Sequence, residues 1–199
     1  MNKSKKSSKK TIVVMTIFLI VIVISYYFIR TSTKPLIKIG TDNATEYDKL
    51  LAKDIENNYP SSPREIVKLY NRIMKCLYNQ DLKDEEIDKL SEVLRALLDE
   101  ELLNNNPNET FLIDLKSEIT TYRKASRTII NYTVQGNKDV SYWEKNEEDL
   151  ASVVSSISLK ENSDYTKVFH KYILRQDNDG KWKILGWEPT KEINLNENE

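Results

Sequence analysis

Residues 11–29 (TIVVMTIFLIVIVISYYFI) hold no charge, no proline and no glycine. At about 1.5 Å per residue this run makes a helix about 28 Å long, close to the hydrocarbon thickness of a bilayer. The pattern therefore predicts a transmembrane helix over 11–30. A cleaved signal peptide would need a shorter apolar stretch closed by small residues. Here the run ends in Tyr26, Tyr27, Phe28, Ile29 and Arg30, and a tyrosine pair suits the water interface of a membrane.

After a linker over 31–42 containing Pro35 and Gly40, the apolar positions take up a helical period. Asn43 to Asn58 reads as a helix capped by Asn43, with Tyr47, Leu50, Leu51 and Ile55 on one face. Ser62-Pro63-Arg64-Glu65 is a stronger start signal, with serine at the cap, proline at the first helical position and glutamate at the third. From it a stripe of Ile66, Leu69, Tyr70, Ile73 and Leu77 runs to about Gln80. A third helix is expected over Lys83 to Asn104, with Ile87, Leu90, Leu94, Leu97 and Leu98 on one face. A fourth, Glu109 to Ala125, carries Phe111, Leu112, Leu115, Ile119 and Tyr122. These stripes are core faces.

Beyond residue 126 the period changes from helical to short β-branched and aromatic runs broken by polar turns. The runs are 127–135, 140–144, 150–160, 165–176 and 181–188. Gly136-Asn137 and Asn162-Ser163-Asp164 mark two turns, and Asp177-Asn178-Asp179-Gly180 the clearest hairpin. In 150–160, Ala151, Val153, Ile157 and Leu159 share one face while serines fill the other, the pattern of a sheet covered on one side. The fold class that follows is α+β: an N-terminal transmembrane helix, then three to four helices packed on an antiparallel sheet of about five strands. The domain is placed at 43–190 and an acidic tail at 191–199.

Charge sharpens this division. Residues 1–38 carry eight basic and no acidic side chains, five of the basic ones as a cytoplasmic tail in residues 1–10. That leaves 22 basic against 31 acidic residues in 39–199, a net of −9 hidden within a whole-chain charge of −1. The lysine bias sets the N-terminus in the cytoplasm and the domain outside it, on a single-pass cell-membrane protein. An acidic domain argues against nucleic acid as partner, since phosphate binding relies on clustered Lys and Arg. The lipid bilayer is the partner the sequence implies; a protein partner or a small ligand stays open. A single cysteine, Cys76, excludes an internal disulfide, and among Ile73, Met74 and Leu77 it reads as a small buried hydrophobe.

The order of elements resembles the nuclear-transport-factor-2-like superfamily, in which a curved antiparallel sheet wraps N-terminal helices into a cone. Tyr165 to Arg175 and Gly180 to Trp187 look like the closing hairpin of such domains. The lysine-rich tail and anchor, Pro63-Arg-Glu-Ile-Val-Lys-Leu-Tyr70 and Leu98-Asp-Glu-Glu-Leu102 also resemble an uncharacterised family of single-span clostridial membrane proteins, itself a domain of unknown function. The resemblance implies a cone-shaped ectodomain and brings no catalytic motif.

Candidate chemistry is sparse. His170, the one histidine, lies in a strand and reads as an ordinary strand histidine, exposed or hydrogen-bonded. No Gly-x-Ser-x-Gly elbow accompanies it. Aligned to a calcium loop, Asp177-x-Asp179-Gly180 would need Arg175 and Gly186 as ligands, so turn chemistry accounts for it and no metal or cofactor is expected. Tyr132, Tyr142 and Tyr172 lie on strands and are candidates for a pocket or interface, together with His170. Trp182 and Trp187 join them; five residues apart on a regular strand, they should point to opposite faces. The expected function is a membrane-anchored extracytoplasmic binding or interaction domain without catalysis. The alternatives are a scaffold subunit of a cell-envelope or secretion assembly, whose inner-membrane subunits share this plan, and a small-molecule enzyme using the cone cavity.

Overall fold

The computed structural model describes residues 44–193 and residue 195. The chain divides into two compact units, Met1–Ala44 and Thr45–Glu199, and every helix and strand among the described residues belongs to the second. The expected basic tail, membrane anchor, linker and Asn43 lie outside the described residues, as does most of the acidic tail. Among the described residues no helix is long and apolar enough to cross a membrane.

Among the described residues five α-helices precede five strands. They are α1 (Glu46–Leu51), α2 (Pro63–Asn79), α3 (Asp84–Arg95), α4 (Glu100–Asn105) and α5 (Asn108–Lys124), then β1 (Arg127–Val134), β2 (Ser141–Lys145), β3 (Glu148–Glu161), β4 (Asp164–Gln176) and β5 (Trp182–Pro189). The class is α+β and every strand pairing is antiparallel.

The helices begin where local chemistry lets them. Ser62 Oγ accepts the Glu65 amide at 3.3 Å and Pro63 fills the first helical position, so α2 starts as its sequence specifies. The first helix is shorter than its periodicity suggests, and Thr45 caps it instead of Asn43 through a reciprocal bond with Asp48. It stops at Leu51 because Asp54 turns the following chain, taking the Asn57 backbone amide at 3.0 Å and its side-chain amide at 2.8 Å.

The expected third helix, 83–104, is two helices. The Ile184 amide donates to the Leu97 carbonyl and the Asp99 amide to the Ile184 carbonyl, both at 2.9 Å, so β5 captures the backbone between Ala96 and Asp99. Asp99 then caps α4 by accepting the Glu101 amide at 2.9 Å. Leu97 and Leu98 are buried, but from this connection and not from a helix face.

In the sheet the order is β1-β3-β4-β5, and β2 lies beyond β1 along the same edge of β3. The turn joining β2 to β3, Asn146-Glu147, has both residues at positive φ and carried no glycine signal in the sequence. The Asp177–Gly180 hairpin forms as expected, with Asp177 Oδ1 accepting the Asp179 and Lys181 amides and Gly180 at φ +75°. One face of the sheet, carrying Val134, Ala151, Val153, Tyr172, Leu174 and Ile184, joins the buried faces of α2, α3 and α5 in a single core. The serines of β3 depart from expectation. Ser152, Ser155 and Ser156 are buried, and Ser155 lies on the helix-facing side, where a hydrogen bond compensates its hydroxyl.

Candidate functional site

The face of the sheet that meets α2 holds a short polar chain inside an apolar core. Helix α2 carries Asn71 one turn after Val67, which turns its amide toward β3 and β4. Asn71 Nδ2 donates to Ser155 Oγ at 2.9 Å, and Tyr172 Oη donates to Asn71 Oδ1 at 3.3 Å. All three residues are at most 2% exposed. Burial pushes the phenols of Tyr172 and Tyr70 up, so both stay neutral and serve only as hydrogen-bonding groups. The Tyr70 ring stands edge-on to Tyr172 at 5.6 Å.

His170 borders this cluster. It pairs across the ladder with Ser155, its ring lies 6.4 Å from that of Tyr172, and its Nδ1 is buried without a hydrogen bond. It is therefore neither the exposed nor the hydrogen-bonded strand histidine that the sequence suggests. Desolvation holds its pKa below the usual imidazole value, which keeps the ring neutral at pH 7. The hydrogen bonds among Asn71, Ser155 and Tyr172 tie α2 to β3 and β4.

The two tryptophans correct a second expectation. Opposite Ile173 and Leu174 of β4 stand Gly186 and Ile184, so Leu185 is an extra residue in β5. This bulge reverses the alternation, and Trp182 (opposite Gln176) and Trp187 (opposite Tyr172) share the helix-facing side of the sheet. Trp187 lies 5.8 Å from the Tyr70 ring and 6.2 Å from the Tyr172 ring, yet remains 46% exposed. Trp182 packs on the core at the other end of β5, where its carbonyl accepts from Tyr59 Oη and its ring meets exposed Tyr142 at 5.7 Å. Tyr132 stands apart beside Arg72, its phenol pushed up by burial. The six candidates thus form three places: His170, Tyr172 and Trp187 together, Tyr142 with Trp182, and Tyr132 alone.

Among the described residues, open recesses border both the rim of the sheet and its helix-facing side, where Tyr132 and Trp187 stand. One, of about 540 Å³, surrounds Arg175, whose Nε donates to Asp99 Oδ2 at 3.0 Å and whose Nη1 donates to Glu148 Oε1 at 2.9 Å. Two more, of about 590 and 440 Å³, share Arg72 and Tyr132, with Arg72 held by Glu46. A smaller one of about 270 Å³ is apolar, lined by Leu98, Leu102, Phe111, Gly186 and Trp187, with Asn106 at one end. Cys76 lines the Arg72 recess yet is 2% exposed, with burial pushing its thiol up to about 11, in keeping with the small buried hydrophobe its neighbours suggest. Among the described residues no three His, Cys, Asp or Glu side chains gather closely enough to hold a metal ion.

Over residues 1–187 the chain matches the family described as Domain of unknown function (DUF6715). The chain belongs to that family. No curated protein matches it. The family match runs through Trp187 and so takes in the polar cluster, the bulge and every residue lining the apolar recess.

Sequence reasoning did not identify Asn71, Ser155, Asp99 or the apolar recess as parts of a site. Two signals were readable. Asn71 interrupts the apolar row Val67, Met74, Tyr78 on α2, and Asp99-Glu100-Glu101 is a cap followed by acids in a first helical turn. The recess had no such signal, because Leu98, Phe111 and Gly186 meet only through the capture of residues 97–99 by β5.

Proposed function

We propose that this chain is a membrane-anchored, extracytoplasmic interaction domain without catalysis, built as a nuclear-transport-factor-2-like cone on a single N-terminal span. The observation carrying this reading is where open space lies on the domain. Helix α2 packs Ile66, Ile73 and Leu77, each fully buried, against the sheet, and Asn71, Ser155 and Tyr172 are joined there by hydrogen bonds. Exposed apolar surface lies at the β5 edge of that side, beside Trp187. A protein partner needs exposed aromatic and aliphatic surface, and in the polar Arg175 recess Asp99 and Glu148 are already engaged by Arg175 itself. The uncharged run over 11–29, five preceding lysines and the net −9 of residues 39–199 support the tether and its orientation.

The apolar recess also favours a second reading, a scaffold subunit of a cell-envelope or secretion assembly, which would use the same surface on a permanent neighbour. One experiment tests the tether. The native chain should resist carbonate extraction from membranes, and protease added to intact spheroplasts should digest the domain. Release by carbonate, or full protection from protease, would overturn the reading.

A further inference from the structure

On α2 the positions Arg72, Lys75, Cys76 and Asn79 follow the spacing of one helix face. That face lines the recess of about 590 Å³ together with Asn131 and Tyr132 of β1. Its polar groups are held from within the domain. Asn79 Nδ2 donates to the Ile129 carbonyl at 2.7 Å and its Oδ1 accepts the Ile129 amide at 2.9 Å, which anchors α2 to the edge of β1. Lys75 Nζ donates to the Ile130 carbonyl at 2.5 Å, and Arg72 donates from Nε and Nη2 to Glu46. A guanidinium and an ammonium each carry more N–H groups than these bonds use, so both keep donors for a further acceptor. Donors already held in place cost little to order when a ligand arrives.

The sign of the charge selects the ligand. The two recesses that share Arg72 are lined by four cations, Lys53, Lys68, Arg72 and Lys75, against two carboxylates, Glu46 and Glu65. Glu46 pairs with Arg72 and Glu65 with Lys68, which leaves Lys53 and Lys75 in surplus. This surplus of two positive charges stands in a domain where residues 39–199 sum to −9. The Arg175 recess has the opposite sign, with six carboxylates against Arg175 and Lys183. Burial raises the Tyr132 phenol, so it adds a neutral donor, close enough to Arg72 to feel its charge.

We propose that the recess of about 590 Å³ binds a small molecule through a phosphate or carboxylate group, with Arg72 and Lys75 on the anion and Tyr132 and Asn131 donating to its oxygens. The site goes beyond the interaction-domain reading and does not depend on it. Its volume falls within the range of roughly 300–1,000 Å³ typical of small-molecule sites. Hydrogen bonds from cations to an oxyanion are about twice as strong as neutral ones, which sets the preference for such a group.

The test is calorimetric titration of the full-length chain, in neutral detergent, with inorganic phosphate and with succinate, at an ionic strength held constant with chloride. At least one of the two should saturate. Lys75→Glu should weaken that binding at least about tenfold, the equivalent of about 1.4 kcal/mol. Lys75→Arg keeps the cation and should retain most of it. Tyr132→Phe removes only a hydroxyl and should weaken binding about tenfold, as expected for a hydrogen bond to a charged group. A further arm compares dissolved glycerol phosphate with micelles carrying phosphatidylglycerol. Tighter binding of the micelles assigns the site to a lipid headgroup, and tighter binding of glycerol phosphate to a free ligand.

Absence of saturation with both anions would overturn the proposal. So would binding that Lys75→Glu or Tyr132→Phe leaves unchanged in a folded chain. Should Lys75→Glu unfold, Tyr132→Phe decides alone. Carbonate release from membranes rejects the tether and leaves this titration standing.

Discussion

Arg175→Met should destabilise the domain by about 3 kcal/mol through one buried carboxylate. The Asp99 side chain is 6% exposed and that of Arg175 is 20% exposed, and the guanidinium meets both carboxylate oxygens of Asp99. Methionine keeps much of the side chain's apolar bulk but strands the Asp99 charge. Breaking a buried ion pair on one side costs about 3–5 kcal/mol. Asp99 keeps the Glu101 amide on Oδ1 at 2.9 Å, which argues for the lower end of that range. Against a domain stability of about 5–15 kcal/mol the protein still folds. With a urea m-value of about 2 kcal/mol/M, the midpoint should fall by about 1.5 M.

The reasoning makes a sharper demand of the double variant. Asn caps helices about as well as Asp, so Asp99→Asn keeps the start of α4 while removing the charge. In the Arg175→Met background it should restore most of the loss, because the stranded carboxylate is its source. Urea unfolding of the two singles, the double and the native chain, followed by circular dichroism, gives the cycle directly. A loss below about 1 kcal/mol for Arg175→Met, or a double variant as unstable as that single, would refute the account.

Three further outcomes follow from the same contacts. Asn71→Ala leaves the Ser155 and Tyr172 hydroxyls without their buried partner and should cost about 1–3 kcal/mol in chemical denaturation, whereas Tyr172→Phe should cost about 1. Stability should fall as the pH drops below about 6.5, because the unfolded state binds a proton at His170 before the folded state does; the loss is complete once the lowered folded pKa is passed. His170→Phe should flatten that part of a melting-temperature against pH series, and an unchanged slope would contradict the burial argument. Ser62→Ala should cost about 1 kcal/mol by uncapping α2, measured as a shift in thermal midpoint.

Local chemistry explains where the sequence was readable. The start of α2, the ends of α5, the bounds of all five strands to within two residues, and the Asp177–Gly180 hairpin follow from caps, breakers and period alone. Each is decided by groups a few residues apart, so the chain needs no distant partner to choose it. The same holds for the α+β class, since a period of 3.6 giving way to 2 separates helices from strands without reference to how they pack.

The candidate site was only half legible, because its residues are brought together by contacts between segments far apart in the chain. Periodicity carries 83–104 through as one helix, yet the Ile184 amide and carbonyl pull Leu97 to Asp99 out of it and create the apolar recess. Strict alternation puts Trp182 and Trp187 on opposite faces, yet one extra residue at Leu185 returns both to the same side. Composition marks the β3 serines as solvent-facing, yet Asn71, 84 positions earlier, buries Ser155 by satisfying its hydroxyl. The sequence by itself determined which segments are helix or strand and the sign of the domain's charge. Tertiary structure decided where those segments break and which side chains share a face, because a captured backbone or a bulge is stable only when its distant partner is in place.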